Sequence, residues 1–130
     1  MPFSAVGEKV IVKILENKKR YLKTELIKVL ESSEFRVRPE CEYFLSCGGC
    51  ELQHIDYEEQ LRSKKEMLIG SMRVGKIPNL AINAFTEIVP TKPYHYRRKI
   101  NLHVDSEGRV GFFRPKSRSL VVIDLSLIHI

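Results

Sequence analysis

The sequence predicts an α+β fold that is mainly β with one α-helix, and three stretches carry that expectation. A β-branched run opens the chain at Lys9–Leu15, an Asp56/Glu59 pair precedes a helically periodic stretch, and an alternating pattern follows Pro93. The 130 residues suffice for one ordinary domain or two very small modules. At 43% hydrophobic, 29% charged and 8% aromatic, the composition excludes a disordered tail and a disulfide-dense secreted scaffold. No apolar run approaches the roughly 20 residues of a membrane helix. Residues Met1 to Lys13 lack the pattern of a signal peptide, so no membrane association and a cytoplasmic location are expected.

Lys-Val-Ile-Val-Lys-Ile-Leu at residues 9–15 reads as a strand, broken by Asn17-Lys18-Lys19-Arg20. Tyr21–Glu31 fits two patterns. Leu22, Leu26, Val29 and Leu30 make a helical stripe, yet Leu22/Thr24/Leu26 also alternate against Tyr21/Lys23/Glu25. The short turn after a β-branched strand favours a hairpin. Ser32–Pro39 reads as a linker. Asp56 with Glu59 three residues on forms a capping box, and Tyr57, Leu61, Leu68 and Met72 share one face of a helix running to about Arg73 and ended by Gly75. Pro78 closes that segment. Beyond Pro93, Tyr96–Val104, a turn at Asp105–Gly108 and Arg109–Arg114 form a β-hairpin, and Leu120–Ile123 is a further short strand.

Charge is uneven along the chain. Residues 1–40 carry 9 basic and 6 acidic groups, 41–76 carry 5 and 6, and 77–130 carry 8 and 4, for surpluses of +3, −1 and +4. Lys18-Lys19-Arg20 and Arg97-Arg98-Lys99 are compact basic runs on the two flanks, and both are candidate phosphate-contacting surfaces. Ordinary solvated charge is the competing reading.

The nearly neutral middle holds Cys41, Cys47 and Cys50 in a C-x5-C-x2-C arrangement. In a reducing compartment such a cluster points to metal or cluster ligation rather than disulfides. Three soft thiolates suit an iron–sulfur cluster, and Gly48 and Gly49 are free to take positive φ and let backbone N–H groups approach sulfur. Tyr43, Phe44 and Leu45 are positioned to shield the site. Adding His54 would complete a Cys3His zinc set, and spacing does not separate the two metals. On its own, His54 reads as a hydrogen-bonding residue at the helix start.

The segment Cys41-x5-Cys47-Gly48-Gly49-Cys50-x-x-Gln53-His54 resembles the iron–sulfur motif of the RNA uracil-5-methyltransferases that act on large-subunit ribosomal RNA. Gly7 to Leu30 resembles the second half of their TRAM domain, a small OB-like RNA-binding β-barrel, which supports strand for Tyr21–Leu30. Tyr96-Arg97-Arg98-Lys99, Gly111-Phe112-Phe113-Arg114 and Val122-Ile123-Asp124 resemble the family's central β-domain. The resemblance implies a partial TRAM barrel over 1–38, a cluster loop and helix over 39–76, and the start of an antiparallel central domain over 77–124. It also implies a 4Fe-4S cluster on Cys41, Cys47 and Cys50, whose fourth cysteine would fall near Ser126, where serine is a poor thiolate substitute.

The family continues into an S-adenosylmethionine-binding domain carrying the catalytic cysteine and base, and the 130 residues contain none of these. The expectation is therefore a truncated, inactive N-terminal fragment with no catalytic residue. Its parent would add a cysteine thiolate to uracil C6 and methylate C5, as a monomer acting on single-stranded or looped rRNA. Residues 125–130 fit no strand or capping pattern and match one frame of a transposon-adapter sequence used in DNA library preparation, so native coding sequence is expected to stop at Asp124. Two other functions compete. One is a stand-alone RNA-binding module with a zinc or iron–sulfur knuckle; the other is an electron-transfer protein, disfavoured by the absence of ferredoxin spacing.

Overall fold

The computed structural model describes residues 2–84 and 88–123. Asp124, Ser126 and the suspected tail at 125–130 lie outside the described residues.

Strands β1 (Lys9–Lys18) and β2 (Tyr21–Glu31) form an antiparallel hairpin in register from Lys9↔Glu31 to Lys18↔Tyr21. Strand wins over helix at Tyr21–Glu31 because the turn folds this segment back along β1, where the facing backbone groups of the two strands pair in one ladder. The expected break at Asn17 shrinks to the two-residue turn Lys19-Arg20, since Asn17 and Lys18 pair with Leu22 and Tyr21. The Lys9–Glu31 ion pair at 2.9 Å closes the open end, but both side chains are about two-thirds exposed and add little.

Among the described residues there are two antiparallel sheets and no closed barrel. The hairpin is an open ribbon with Ile11, Ile14, Leu15, Leu22, Ile27 and Leu30 exposed. The accessible surface, 10253 Å² for 15.1 kDa, exceeds the roughly 7,100 Å² typical of a compact chain of that mass. Much apolar surface is thus left uncovered.

The segment expected as a linker is built into the structure. Phe35 and Val37 exchange backbone hydrogen bonds with Asp56 and His54 at 2.8 and 3.0 Å, around an Arg36↔Ile55 bridge. Arg36 forks onto the Glu8 carboxylate and donates to the Phe3 carbonyl at 2.9 Å, which ties the first residues to this bridge. The Arg36 guanidinium holds the Glu8 carboxyl down at about 2. Phe3 meets Phe44 edge-on with ring centroids 5.7 Å apart, and His54 packs against both. This small aromatic cluster, with Ile55, is the core beneath the cysteine loop.

Helix α1 (Tyr57–Val74) starts where expected, with the Asp56 carboxylate accepting from the Glu58 and Glu59 amides. The reciprocal half of the capping box does not form. Asp56 N–H is already given to the Phe35 carbonyl, and the buried Glu59 carboxylate takes Arg62 and Ser63 instead. Arg62 lies 4.8 Å above the Phe35 ring, joining the helix to the bridge. Tyr57, Leu61 and Met72 are half-buried on the expected face, whereas Leu68 is exposed. At the far end Gly75 keeps a negative φ of −72°, and the left-handed residue is Lys76, at φ 57°.

A second, one-turn helix, α2 (Asn79–Asn83), follows Pro78, so the described residues hold one long helix and a short one rather than one helix alone. Its first turn is closed by the Pro78 carbonyl, which accepts from Ala81 at 3.0 Å. Strands β3 (His103–Val104), β4 (Val110–Phe113) and β5 (Leu120–Val122) form the second sheet in that order. The strand expected over Tyr96–Val104 survives only as β3, because β4 offers pairing partners to His103 and Val104 alone. Asp105 builds the β3–β4 turn by accepting from the Glu107 and Arg109 amides at 3.0 and 2.9 Å, with Gly108 left-handed at φ 78°. Gly111 is required for close strand approach: a Cβ there would sit 2.0 Å from the Val121 carbonyl oxygen.

Candidate functional site

The cysteine loop is a series of tight turns. Phe44 N–H bonds to the Cys41 carbonyl at 3.1 Å and Cys47 N–H to the Tyr43 carbonyl at 2.8 Å, with Leu45 left-handed at φ 75°. Positive φ falls on Leu45 rather than on Gly48 or Gly49. Gly48 serves a different purpose: its N–H donates to the Phe113 carbonyl at 2.9 Å, and a Cβ would lie 2.8 Å from that oxygen. The loop is thereby docked on the end of β4. Gly49 does bring a backbone N–H to sulfur, 3.3 Å from Cys47 Sγ. Of the residues expected to shield the loop, Phe44 is buried, Tyr43 half-buried and Leu45 exposed.

Cys41, Cys47 and Cys50 are half-buried free thiols. Gln53, itself buried, accepts from the Cys41 amide at 3.3 Å and also bonds Cys50. Burial pushes the Cys50 thiol up; Gln53 and the Arg97 charge oppose this, and the neighbouring Cys47 and Cys41 add to it. Cys41 and Cys47 thus lie near enough to Cys50 to act on it. Among the described residues no three His, Cys, Asp or Glu side chains are drawn together closely enough to form a ready metal cage. In donor chemistry the set fits a thiophilic group: three uncrosslinked thiols on one turn-rich loop, with an amide N–H already directed at a sulfur.

His54 is 2% exposed, with Nε2 3.2 Å from the Ser4 carbonyl. Burial lowers its pKa, so the neutral ring donates from Nε2. That is the role of a packed residue at the helix start, while Nδ1 is buried without a hydrogen-bond partner among the described residues.

The two basic runs sit in unlike settings. Lys18, Lys19 and Arg20 crown the β1–β2 hairpin, all exposed, with Lys18 paired to Glu16 at 2.5 Å. Arg97, Arg98 and Lys99 lie exposed in the irregular stretch before β3. Arg97 is the member of that run whose charge reaches the cysteine loop.

Sequence reasoning missed a cleft of about 490 Å³ beside the loop. Its walls are Gly48–Gln53 of the loop, the first two turns of α1 and the Thr91–Tyr96 stretch. The Tyr57 hydroxyl fastens the last two together, donating to the Thr91 carbonyl at 2.7 Å and accepting from the Thr91 amide at 3.0 Å. No signal along the chain marks this convergence of residues some thirty positions apart. Among the described residues no helix is long and apolar enough to cross a membrane.

No protein-family model matches the chain. It is 39% identical over 127 residues to an uncharacterized RNA methyltransferase of Aquifex aeolicus, a match covering 97% of this chain and 29% of that protein. Similar matches join it to uncharacterized RNA methyltransferases of Clostridium acetobutylicum (36% identical, 95% of this chain, 28% of that protein) and Caldanaerobacter subterraneus (40%, 95% and 27%). The chain thus spans under a third of the length of the curated relatives it matches.

Proposed function

We propose that this chain is the RNA-handling part of an S-adenosylmethionine-dependent RNA methyltransferase that acts on uracil C5 in large-subunit ribosomal RNA. The observation that carries the reading is the 39% identity, over 97% of the chain, to a protein named as an RNA methyltransferase. Because the match covers 29% of that protein, methyl transfer is assigned to the complete protein and no catalytic role to any side chain here. Uracil, the C5 position and ribosomal RNA come from the resemblance of the cysteine segment. A uracil within a helix hides C5 in the stack, so a single-stranded or looped target is the natural substrate.

In this reading Cys41, Cys47 and Cys50 would supply three ligands of a 4Fe-4S cluster, whose fourth position falls near Ser126, and the TRAM-like hairpin and central β-sheet offer their basic runs to phosphates. When bound, such a cluster would supply a rigid cross-link rather than electrons. The chain's own contribution is the Gly48–Phe113 contact, which fixes the loop against β4, and the Gln53 side chain, which orients Cys41 and Cys50. The protein works as a monomer in the cytoplasm.

The test uses the protein expressed from its complete reading frame, with labelled S-adenosylmethionine and 23S rRNA transcripts. Label incorporated at uracil C5 is the expected result. RNA binding without methyl transfer would instead favour a stand-alone binding module, and transfer to another base would remove the uracil assignment.

A further inference from the structure

We propose that the cleft between the cysteine loop, α1 and residues 91–96 is a receptor for one unpaired nucleotide of the bound RNA, with the base on Tyr96 and the phosphate on Lys64 and Lys92. This deepens the reading above and rests on it.

The cleft has the size and the chemistry for such a unit. Its volume of about 490 Å³ lies in the range of small-ligand pockets, which run from roughly 300 to 1,000 Å³. Tyr96 lines it, is 50% exposed as a residue and has no aromatic partner among the described residues, so its ring is available for stacking. Lys64 and Lys92 line it from opposite walls, α1 and the 91–96 stretch, and neither forms an ion pair among the described residues. Two unpaired cations beside an aromatic face match the stacking-plus-phosphate arrangement by which single-stranded nucleic acid is held.

Acceptors for a base edge are also present. The Gln60 amide nitrogen is spent on the Ile55 carbonyl at 2.9 Å, which leaves its oxygen for an N–H donor, and the exposed Glu51 carboxylate lines the same space. A carboxylate would repel a bare phosphate but accepts from a base amino or imino group. The mixed set therefore favours a nucleotide over a simple anion. The cleft is also a built feature: Tyr57 clamps Thr91 through both of its backbone groups, so the two walls are joined before any ligand arrives.

The test measures binding of the full 130-residue chain to a fluorescein-labelled, mixed-sequence, single-stranded 12-nucleotide RNA by anisotropy, across a salt series. Tyr96→Ala is expected to weaken binding about 10-fold, while Tyr96→Phe, which keeps the ring, stays within about 2-fold of the parent. Lys64→Gln with Lys92→Gln is expected to lower the salt slope by about 1.4, at roughly 0.7 per lost phosphate contact on a single strand. Circular dichroism checks that each variant keeps its fold. Unchanged affinity and slope in the cleft variants, with binding still sensitive to Lys18, Lys19 and Arg20, would overturn the nucleotide receptor and leave the RNA-handling role standing. Absence of RNA binding by the parent chain would overturn both.

Discussion

Replacing Gly48 by alanine isolates the contact that docks the cysteine loop on the second sheet. Gly48 has a negative φ, so alanine meets no dihedral strain, and on unfolded-state entropy alone the change would stabilise by about 0.4–1 kcal/mol. Sterics decide otherwise. The new Cβ would stand 2.8 Å from the Phe113 carbonyl oxygen, a backbone atom, and ordinary contact begins at 3.4 Å, so loop and strand must part by about 0.6 Å. That opening stretches the 2.9 Å Gly48–Phe113 hydrogen bond beyond useful length. Losing the bond costs about 0.5–1.5 kcal/mol, and the overpacking about 1–3 kcal/mol. The net is a destabilisation of about 2 kcal/mol. In urea unfolding followed by far-ultraviolet circular dichroism, with a slope of about 1–3 kcal/mol per molar, the midpoint should fall by about 1 M. Gly70→Ala is the opposite case, because nothing lies within 4 Å of its Cβ position on α1, and helix propensity should raise stability by about 0.8 kcal/mol. A Gly48→Ala protein as stable as the parent would show that the loop is not seated on β4.

Three further outcomes follow from the same contacts. Glu8 titrates at about 2 in the folded chain, below its usual value of 4.5, so its pairing with Arg36 stabilises the fold above that usual value and is lost as pH falls towards 2. Glu8→Gln should flatten urea midpoints across that window, and an unchanged acid limb would count against the clamp. Neutralising Lys18, Lys19 and Arg20 to Gln should lower the salt slope of RNA binding by up to about 2, as should neutralising Arg97, Arg98 and Lys99; a slope that stays fixed would return that run to plain surface charge. Cys47→Ser should abolish iron retention in the protein from the complete reading frame while leaving Phe44, His54 and Ile55 packed, which iron analysis beside circular dichroism would reveal.

Local signals were the legible ones. The Asp56 cap, the β-branched Lys9–Leu15 run and the Asp105–Gly108 turn each depend on neighbours a few residues away, and each formed. The capping box failed in its second half because Phe35, some twenty residues upstream, claims the Asp56 amide. In the same way Ser32–Pro39 carries no periodicity, yet it pairs with His54–Asp56 through a bridge that no local pattern encodes. Tyr96–Leu102 shows the converse. Its alternation is strand-like, but a strand needs a partner, and β4 reaches only to His103. At the site, the cysteines and basic runs were readable as residue types at short spacing. The purpose of Gly48 and the cleft beside it were not, since both depend on where Phe113 and Thr91–Tyr96 are carried by the fold.

The most direct test of the proposed metal centre is iron and sulfide content, with absorbance spectra, of the protein expressed anaerobically from its complete reading frame. A brown protein with iron and sulfide in the 4Fe-4S ratio, lost when Cys41, Cys47 or Cys50 is replaced by serine, is the predicted result. A colourless protein carrying zinc, or no metal at all, would contradict it.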